Sequence, residues 1–188
     1  PAQSYYAGEV RVLFAEKFSR SADGGVGFAK AAGNYAAQFY PTRLANEQGF
    51  QQIVWTDAST HEYLEEAGTM NIFFRVGNKL ITTPTNDRIL DGITRKSIIQ
   101  LAKDNNIDTE VRRVSVAEIK EAAKSGELKE IFGSGTAAVI NPIKGFKHQE
   151  DTFELPDVTD SYATLFKEKL VNIQSNKSED KHNWRVKI

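Results

Sequence analysis

Cysteine is absent from this chain of 188 residues, which excludes disulfides, thiol nucleophiles and cysteine-based metal sites. Excess charge of either sign is also missing. With 24 basic residues against 25 acidic ones, there is no basic field to attract nucleic acid and no polybasic anchor for a membrane surface. No apolar run is as long as a membrane span, and the opening Pro1-Ala2-Gln3-Ser4-Tyr5-Tyr6 lacks the basic and apolar regions of a signal peptide. A cytoplasmic location is therefore expected, with no nucleic-acid or membrane partner. Methionine occurs once, at Met70, so residue 1 is no retained initiator, and the chain is expected to be a processed product or a piece of something longer. His61, His148 and His182 are too scattered for zinc spacing, and no metal site is expected. Internal repeats, linkers and low-complexity blocks are lacking too.

What is present suits a single folded domain: 40% hydrophobic and 26% charged residues over a length sufficient to bury a core. Val10 to Phe14 has the β-branched, apolar character of a strand. Helical spacing begins at Asn34 and continues through Ala45, with Pro41 expected to kink the helix or begin its second part. Gln51 to Asp57 predicts a buried strand, and Leu64 to Val76 a longer extended segment. Gly77-Asn78 then turns the chain into a hairpin partner over Lys79 to Thr83. Ile98, Ile99, Leu101 and Ala102 fall at helical spacing, Thr109 to Val114 alternates as one strand, and Val116 to Lys124 is an amphipathic helix. Gly133-Ser134-Gly135-Thr136 reads as a tight turn before the strand Ala137 to Ile140. Val158 to Ile173 is a last helix, followed by a polar tail expected to be mobile from about residue 175. Strands and helices mixed in this order predict one α/β domain.

Lys30 stands out among these residues. It lies in Gly24-Gly25-Val26-Gly27-Phe28-Ala29-Lys30-Ala31-Ala32-Gly33-Asn34-Tyr35, where small neighbours leave the amine unshielded. The glycines are costly to order unless the backbone needs unusual dihedrals or close approach by another group, such as a flat cofactor. A lysine used this way forms a Schiff base with a carbonyl, for which the amine must be held still and partly desolvated. A flexible loop with an ordinary surface lysine has the same pattern.

Three further stretches suit the same chemistry. Glu65 and Glu66 lie in a strand-like run, where alternation lets only one point inward. A buried carboxylate needs a cationic or donor partner, and a protonated pyridine nitrogen would be one. A surface turn with two solvated glutamates is the simpler alternative. Leu90-Asp91-Gly92-Ile93-Thr94 precedes a helix, whose free N–H groups form an anion site unless Asp91 or Thr94 merely caps it. The glycine turn ending at Thr136 and Ala137 offers N–H groups to a phosphate or a carboxylate.

Taken jointly and in order, GFAKAAGNYA, EEAGTMNIFF, LDGITR and FGSGTAA resemble the branched-chain amino acid aminotransferases, enzymes of fold type IV that use pyridoxal phosphate. The resemblance covers about residues 24 to 146. Relatives acting on D-amino acids or aminodeoxychorismate carry a serine-rich run where this chain has Gly68-Thr69-Met70-Asn71, which favours the branched-chain branch. The CxxC of mammalian relatives is replaced by Ala138 and Asn141, so no thiol switch is expected.

The resemblance implies a mixed β-sheet pseudo-barrel surrounded by helices, the large domain of such an enzyme, here spanning 1–188 without the small N-terminal domain. It implies that Lys30 is the Schiff-base lysine and proton carrier, that Tyr35 bonds the cofactor's phenolic oxygen, and that Glu66 holds its pyridine nitrogen. Leu90 would pack on the ring, while Gly92, Ile93, Thr94 and Thr136 would bind the phosphate. Tyr35, Thr136 and Ala137 would meet the substrate. The implied substrates are leucine, isoleucine and valine with 2-oxoglutarate, and the implied assembly is a homodimer at full length. An isolated large domain is expected to be inactive. The alternatives are a non-catalytic cofactor-binding or scaffold fragment, and a lyase of the same fold such as aminodeoxychorismate lyase.

Overall fold

The computed structural model describes residues 10–186. Within them the chain forms β1 (Val10–Phe14), α1 (Ala32–Glu47), β2 (Gln52–Thr56), β3 (Tyr63–Ala67), β4 (Met70–Val76), β5 (Lys79–Thr82) and α2 (Ile93–Asp104). There follow β6 (Thr109–Val111), β7 (Val114–Ser115), α3 (Val116–Lys124), β8 (Leu128–Gly135), β9 (Val139–His148), β10 (Asp151–Glu154) and α4 (Tyr162–Gln174).

The strands follow the order β6-β5-β4-β8-β9-β1-β2-β3-β7, and β3 also pairs with β4. That last pairing closes β4-β8-β9-β1-β2-β3 into a barrel. β1 lies parallel to both β2 and β9, whereas β3, β4 and β8 are joined antiparallel. The mixed sheet and its barrel closure are as the family resemblance implied. No helix among the described residues is long and apolar enough to cross a membrane.

Alternation along the strands sorts side chains between two cores. Val10, Val12 and Phe14 of β1 join Met70, Ile72 and Phe74 of β4 in one apolar cluster, with α3 contributing Val116 and Ile119. Phe73 and Phe132 face the other way. They pack with Ile98 and Leu101 of α2 and Phe166 and Leu170 of α4, their own rings stacked at 5.1 Å. Because β3, β4 and β8 are covered on both faces, polar side chains on either face leave water and must find partners.

Four expectations are corrected. Gly133-Ser134-Gly135 is no tight turn but the end of β8, and the chain turns at 136–138 before β9 begins at Val139. The extended segment Leu64 to Val76 is two strands: Gly68, at φ +57°, and Thr69 turn the chain between β3 and β4. Thr109 to Val114 does not form one strand either. β6 pairs with β5 and β7 with β3, because Arg112, held by Glu110 and Glu118, marks a swerve between them. Pro41 does not begin a second part of α1, which runs unbroken across it. Its missing N–H frees the carbonyl of exposed Ala37, which water can satisfy. The tail beyond α4 turns back on the fold, where His182 Nε2 lies 2.7 Å from Asp104 Oδ2 and its ring stacks on Trp184.

Candidate active site

The segment from 15 to 31 that links β1 to α1 has little regular structure but is firmly tied. Arg20, buried, donates from Nη2 to the carbonyls of Gly27 at 2.9 Å and Arg88 at 2.5 Å. Ser21 Oγ donates to the same Arg88 carbonyl at 2.9 Å, and Phe28 N–H donates to Asp87 O at 3.0 Å. Asn34 in the first turn of α1 reaches back with Nδ2 to the carbonyls of Val26 and Ala29, each at 2.8 Å. Gly27 is required here by close approach. A Cβ on it would stand 2.6 Å from Arg88 O, so what approaches this glycine is the chain's own neighbouring loop rather than a ligand.

Lys30 emerges from this braced segment just before α1. It lines a cavity of about 340 Å³ together with Tyr35, Thr136 and Ala137, and with Thr69, Met70, Gly135 and Ala138. Four of the residues selected from sequence thus meet around one space. Lys30 is exposed, unlike the partly desolvated group the sequence suggests, because the described walls are the β3-β4 and β8-β9 turns on one side and α1 on the other.

The other expected residues collect beside this cavity on an adjacent face. Glu66 pairs across the sheet with Asn71, and Asn71 with Ser134. A carboxylate, an amide and a hydroxyl therefore form one row on the outward face of β3, β4 and β8, each at 5% exposure or less. The segment that delivers α2 lies over this row. Leu90 N–H donates to Glu66 Oε1 at 2.6 Å, and Asn71 Nδ2 donates to Leu90 O at 2.8 Å. Gly92 is the N-cap of α2 and has no side-chain cap, and the first turn of that helix holds no acid. Asp91 pairs with Lys96 at 2.5 Å instead of capping, leaving the N–H groups of the first turn free of a side-chain acceptor. Thr94 is half-buried there, whereas Ile93 projects outward at 74% exposure.

Both glutamates are buried, which corrects the expectation that only one would point inward. In a closed barrel the two faces of β3 are both covered, so neighbours of opposite direction both leave water. Each carries its own cation: Glu66 Oε2 lies 3.1 Å from Arg20 Nη2, and Glu65 is paired with Arg88. Burial pushes the Glu66 carboxyl up to about 7, against the opposing pull of Arg20 and of the Leu90 N–H. Glu65 is likewise raised to about 7, by burial first and then by the negative charge of Asp57. Asp57 goes the other way, down to about 2. Its own burial is outweighed by bonds from the N–H groups of Tyr63 and Thr60 and the hydroxyls of Thr60 and Ser59.

Sequence reasoning missed Arg20, Asn71 and Ser134 as parts of this site. Arg20 had a readable signal, since two adjacent acids in a strand-like run demand cations from elsewhere in the chain. Asn71 and Ser134 had none, because their importance comes from cross-strand register.

Comparison with known proteins gives a consistent result. The family model for amino-transferase class IV matches residues 2–146. A probable branched-chain-amino-acid aminotransferase of Staphylococcus epidermidis is 42% identical over 193 residues, covering all of this chain and 54% of that protein. The solved branched-chain amino acid aminotransferase of Escherichia coli is 25% identical, with a TM-score of 0.78 over 94% of this chain and 56% of the other. The corresponding enzyme of Thermobaculum terrenum, determined in its PLP form, is 20% identical and shares the fold at a TM-score of 0.79, over 94% of this chain and 54% of that one. The chain spans about half the length of the curated relatives it matches.

Proposed function

Because the chain belongs to the class IV aminotransferase family, we propose that it is the cofactor-bearing domain of a branched-chain amino acid aminotransferase. In this reading it binds pyridoxal phosphate through Lys30 and serves amino transfer between leucine, isoleucine or valine and 2-oxoglutarate. The residues present fit that cofactor. A buried carboxylate raised to about 7 suits a protonated ring nitrogen as a second cation. The uncapped N-terminus of α2 suits a phosphate, and at Gly92 a Cβ would come within 2.1 Å of Asn71 Oδ1, so the glycine keeps that approach open. The observation that supports the reading most is the meeting of Lys30, Tyr35 and Thr136 around one cavity, one residue along β4 from the row that holds Glu66.

Pyridoxal phosphate, when bound, supplies a carbonyl for amines to join and a ring that accepts the electrons left at a substrate Cα. The chain's own residues divide the remaining work. Lys30 Nζ would provide the covalent attachment and, as a free amine, would carry the proton from the substrate Cα to the cofactor carbon that bears the nitrogen, so that what one centre loses the other gains. Glu66, steadied by Arg20, would accept the ring-nitrogen proton's hydrogen bond and so favour the charged ring. Tyr35 would orient the ring through its hydroxyl, Leu90 would pack on it, and the N–H groups of Ile93 and Thr94 with the Thr136 hydroxyl would hold the phosphate. Thr136 and Ala137 present N–H groups to the substrate carboxylate at the cavity wall.

A cavity lined by an exposed lysine is what a half-site needs. In this reading the rest of a longer protein, and a second subunit of a cytoplasmic homodimer, cover it. The test is a leucine-dependent loss of the absorbance band of bound pyridoxal phosphate, measured on this chain and on the longer protein. Bleaching in the longer protein, abolished by Lys30→Ala, is expected. A persistent band, or activity only with aminodeoxychorismate, overturns the assignment.

A further inference from the structure

Two adjacent residues, Asp87 and Arg88, join the segment that carries Lys30 to the segment that leads into α2. The Asp87 carboxylate accepts the Gly24 N–H, and the Asp87 carbonyl accepts the Phe28 N–H at 3.0 Å. The Arg88 carbonyl accepts from Arg20 Nη2 and from Ser21 Oγ. The Arg88 side chain reaches in two directions. Its Nε meets Glu65, buried on β3, and its Nη1 meets Asp23, whose side chain is 70% exposed. A planar guanidinium can hold two carboxylates at once because its N–H groups form a rigid fork, which a lysine amine lacks. Lys30 lies two residues beyond Phe28, and Leu90 two beyond Arg88, so the contact that fixes these segments to each other also fixes the Lys30 backbone relative to the first turn of α2. A ligand attached at Lys30 and held at that turn gains from having the spacing set in advance.

We propose that Arg88 is a positioning residue of this site: anchored on Glu65, it draws Asp23 inward and so sets the segment bearing Lys30 against the segment that begins α2. The role rests on the functional reading above and adds to it a contact away from the ligand. The inner pair with buried Glu65 is the anchor, shielded from salt, whereas the outer pair with Asp23 is a latch open to water and screened by it.

Two variants open the latch without leaving a buried charge alone. Asp23→Asn removes the exposed partner, and Glu65→Met combined with Arg88→Met replaces the inner pair by apolar side chains, a change that is often neutral or stabilising. Each is compared with the unaltered chain by its urea midpoint, by hydrogen–deuterium exchange at the Gly24 and Phe28 amides without ligand, and by its dissociation constant for pyridoxal phosphate. Both variants are expected to keep the midpoint and to exchange those two amides about two- to fivefold faster, the range of an ion pair with one exposed partner. Their affinity for pyridoxal phosphate should fall by a similar factor. Salt at about 1 M should speed the same exchange in the unaltered chain and add nothing in Asp23→Asn. Unchanged exchange in both variants overturns the proposal, as does faster exchange with unchanged affinity. A lowered midpoint in Asp23→Asn, with exchange raised equally throughout the barrel, shows a merely structural contact and overturns it too. If the unaltered chain itself binds no pyridoxal phosphate, the functional reading falls, and the positioning role of Arg88 with it.

Discussion

Replacing Glu66 by Gln tests the electrostatics of the site without touching its shape. The carboxyl lies at about 7 in the folded chain against an ordinary 4.5. At about 1.4 kcal/mol per tenfold change in proton affinity, that difference corresponds to about 3 kcal/mol. The folded chain holds a proton that the unfolded chain releases, so this contribution is complete below pH 4.5 and is lost as pH rises through about 7. Glutamine cannot lose the proton, and Arg20 keeps its bonds to the carbonyls of Gly27 and Arg88. The variant should therefore gain about 3 kcal/mol on the unaltered chain between acid and mildly alkaline pH. Urea denaturation of both proteins without cofactor, at pH 4.5 and pH 8, reads this directly, and titrations common to both cancel in the difference. A stability difference that stays constant with pH would mean that Arg20 already holds Glu66 ionised, and the account of a carboxylate awaiting a second cation would fail.

Other substitutions probe how the fold supports the site. Gly92→Ala places a Cβ against the Asn71 carboxamide, which must leave Leu90 O. A stability loss of about 1–3 kcal/mol and weakened pyridoxal phosphate binding are expected, read by denaturation and by spectral titration. Phe132→Ala empties the centre of the cluster beneath α2 and α4 and should cost about 3–5 kcal/mol in urea denaturation. Arg75→Met removes the cation that joins buried Glu130 to Asp160 at the start of α4. Because Glu130 keeps bonds from Ser161 Oγ and the N–H groups of Tyr162 and Ala163, the loss should lie near the lower end of the about 3–5 kcal/mol typical of a broken buried pair.

Much of this architecture is legible in local sequence, and the exceptions share a cause. β1, β2, the β4-β5 hairpin and the helices from α2 onward follow from periodicity and turn residues, because each is specified within its own dozen residues. The β3-β4 turn was hidden because Gly68-Thr69 lacks the Asn-Gly signature and both flanking strands are buried, so the apolar run reads through. The same burial makes the alternation rule mislead at Glu65 and Glu66. That rule assumes a wet face, and β3 has none. The barrel also needs the pairing of β9 with β1, more than a hundred residues apart in sequence, which nothing local encodes. At the site, Lys30 and the α2 N-terminus are marked by composition. The polar row is invisible until register aligns Glu66, Asn71 and Ser134, and the Gly27 close approach turns out to serve the protein's own loop.

The central claim is that one lysine, Lys30, carries the cofactor. Incubating the chain with pyridoxal phosphate, reducing it with borohydride and mapping the modified peptide by mass spectrometry tests this most directly. Stoichiometric label on Lys30, absent from Lys30→Ala while that exposed substitution leaves the urea midpoint within about 0.5 kcal/mol, is the predicted result. Label spread over surface lysines, or retained by the Lys30→Ala chain, would contradict it.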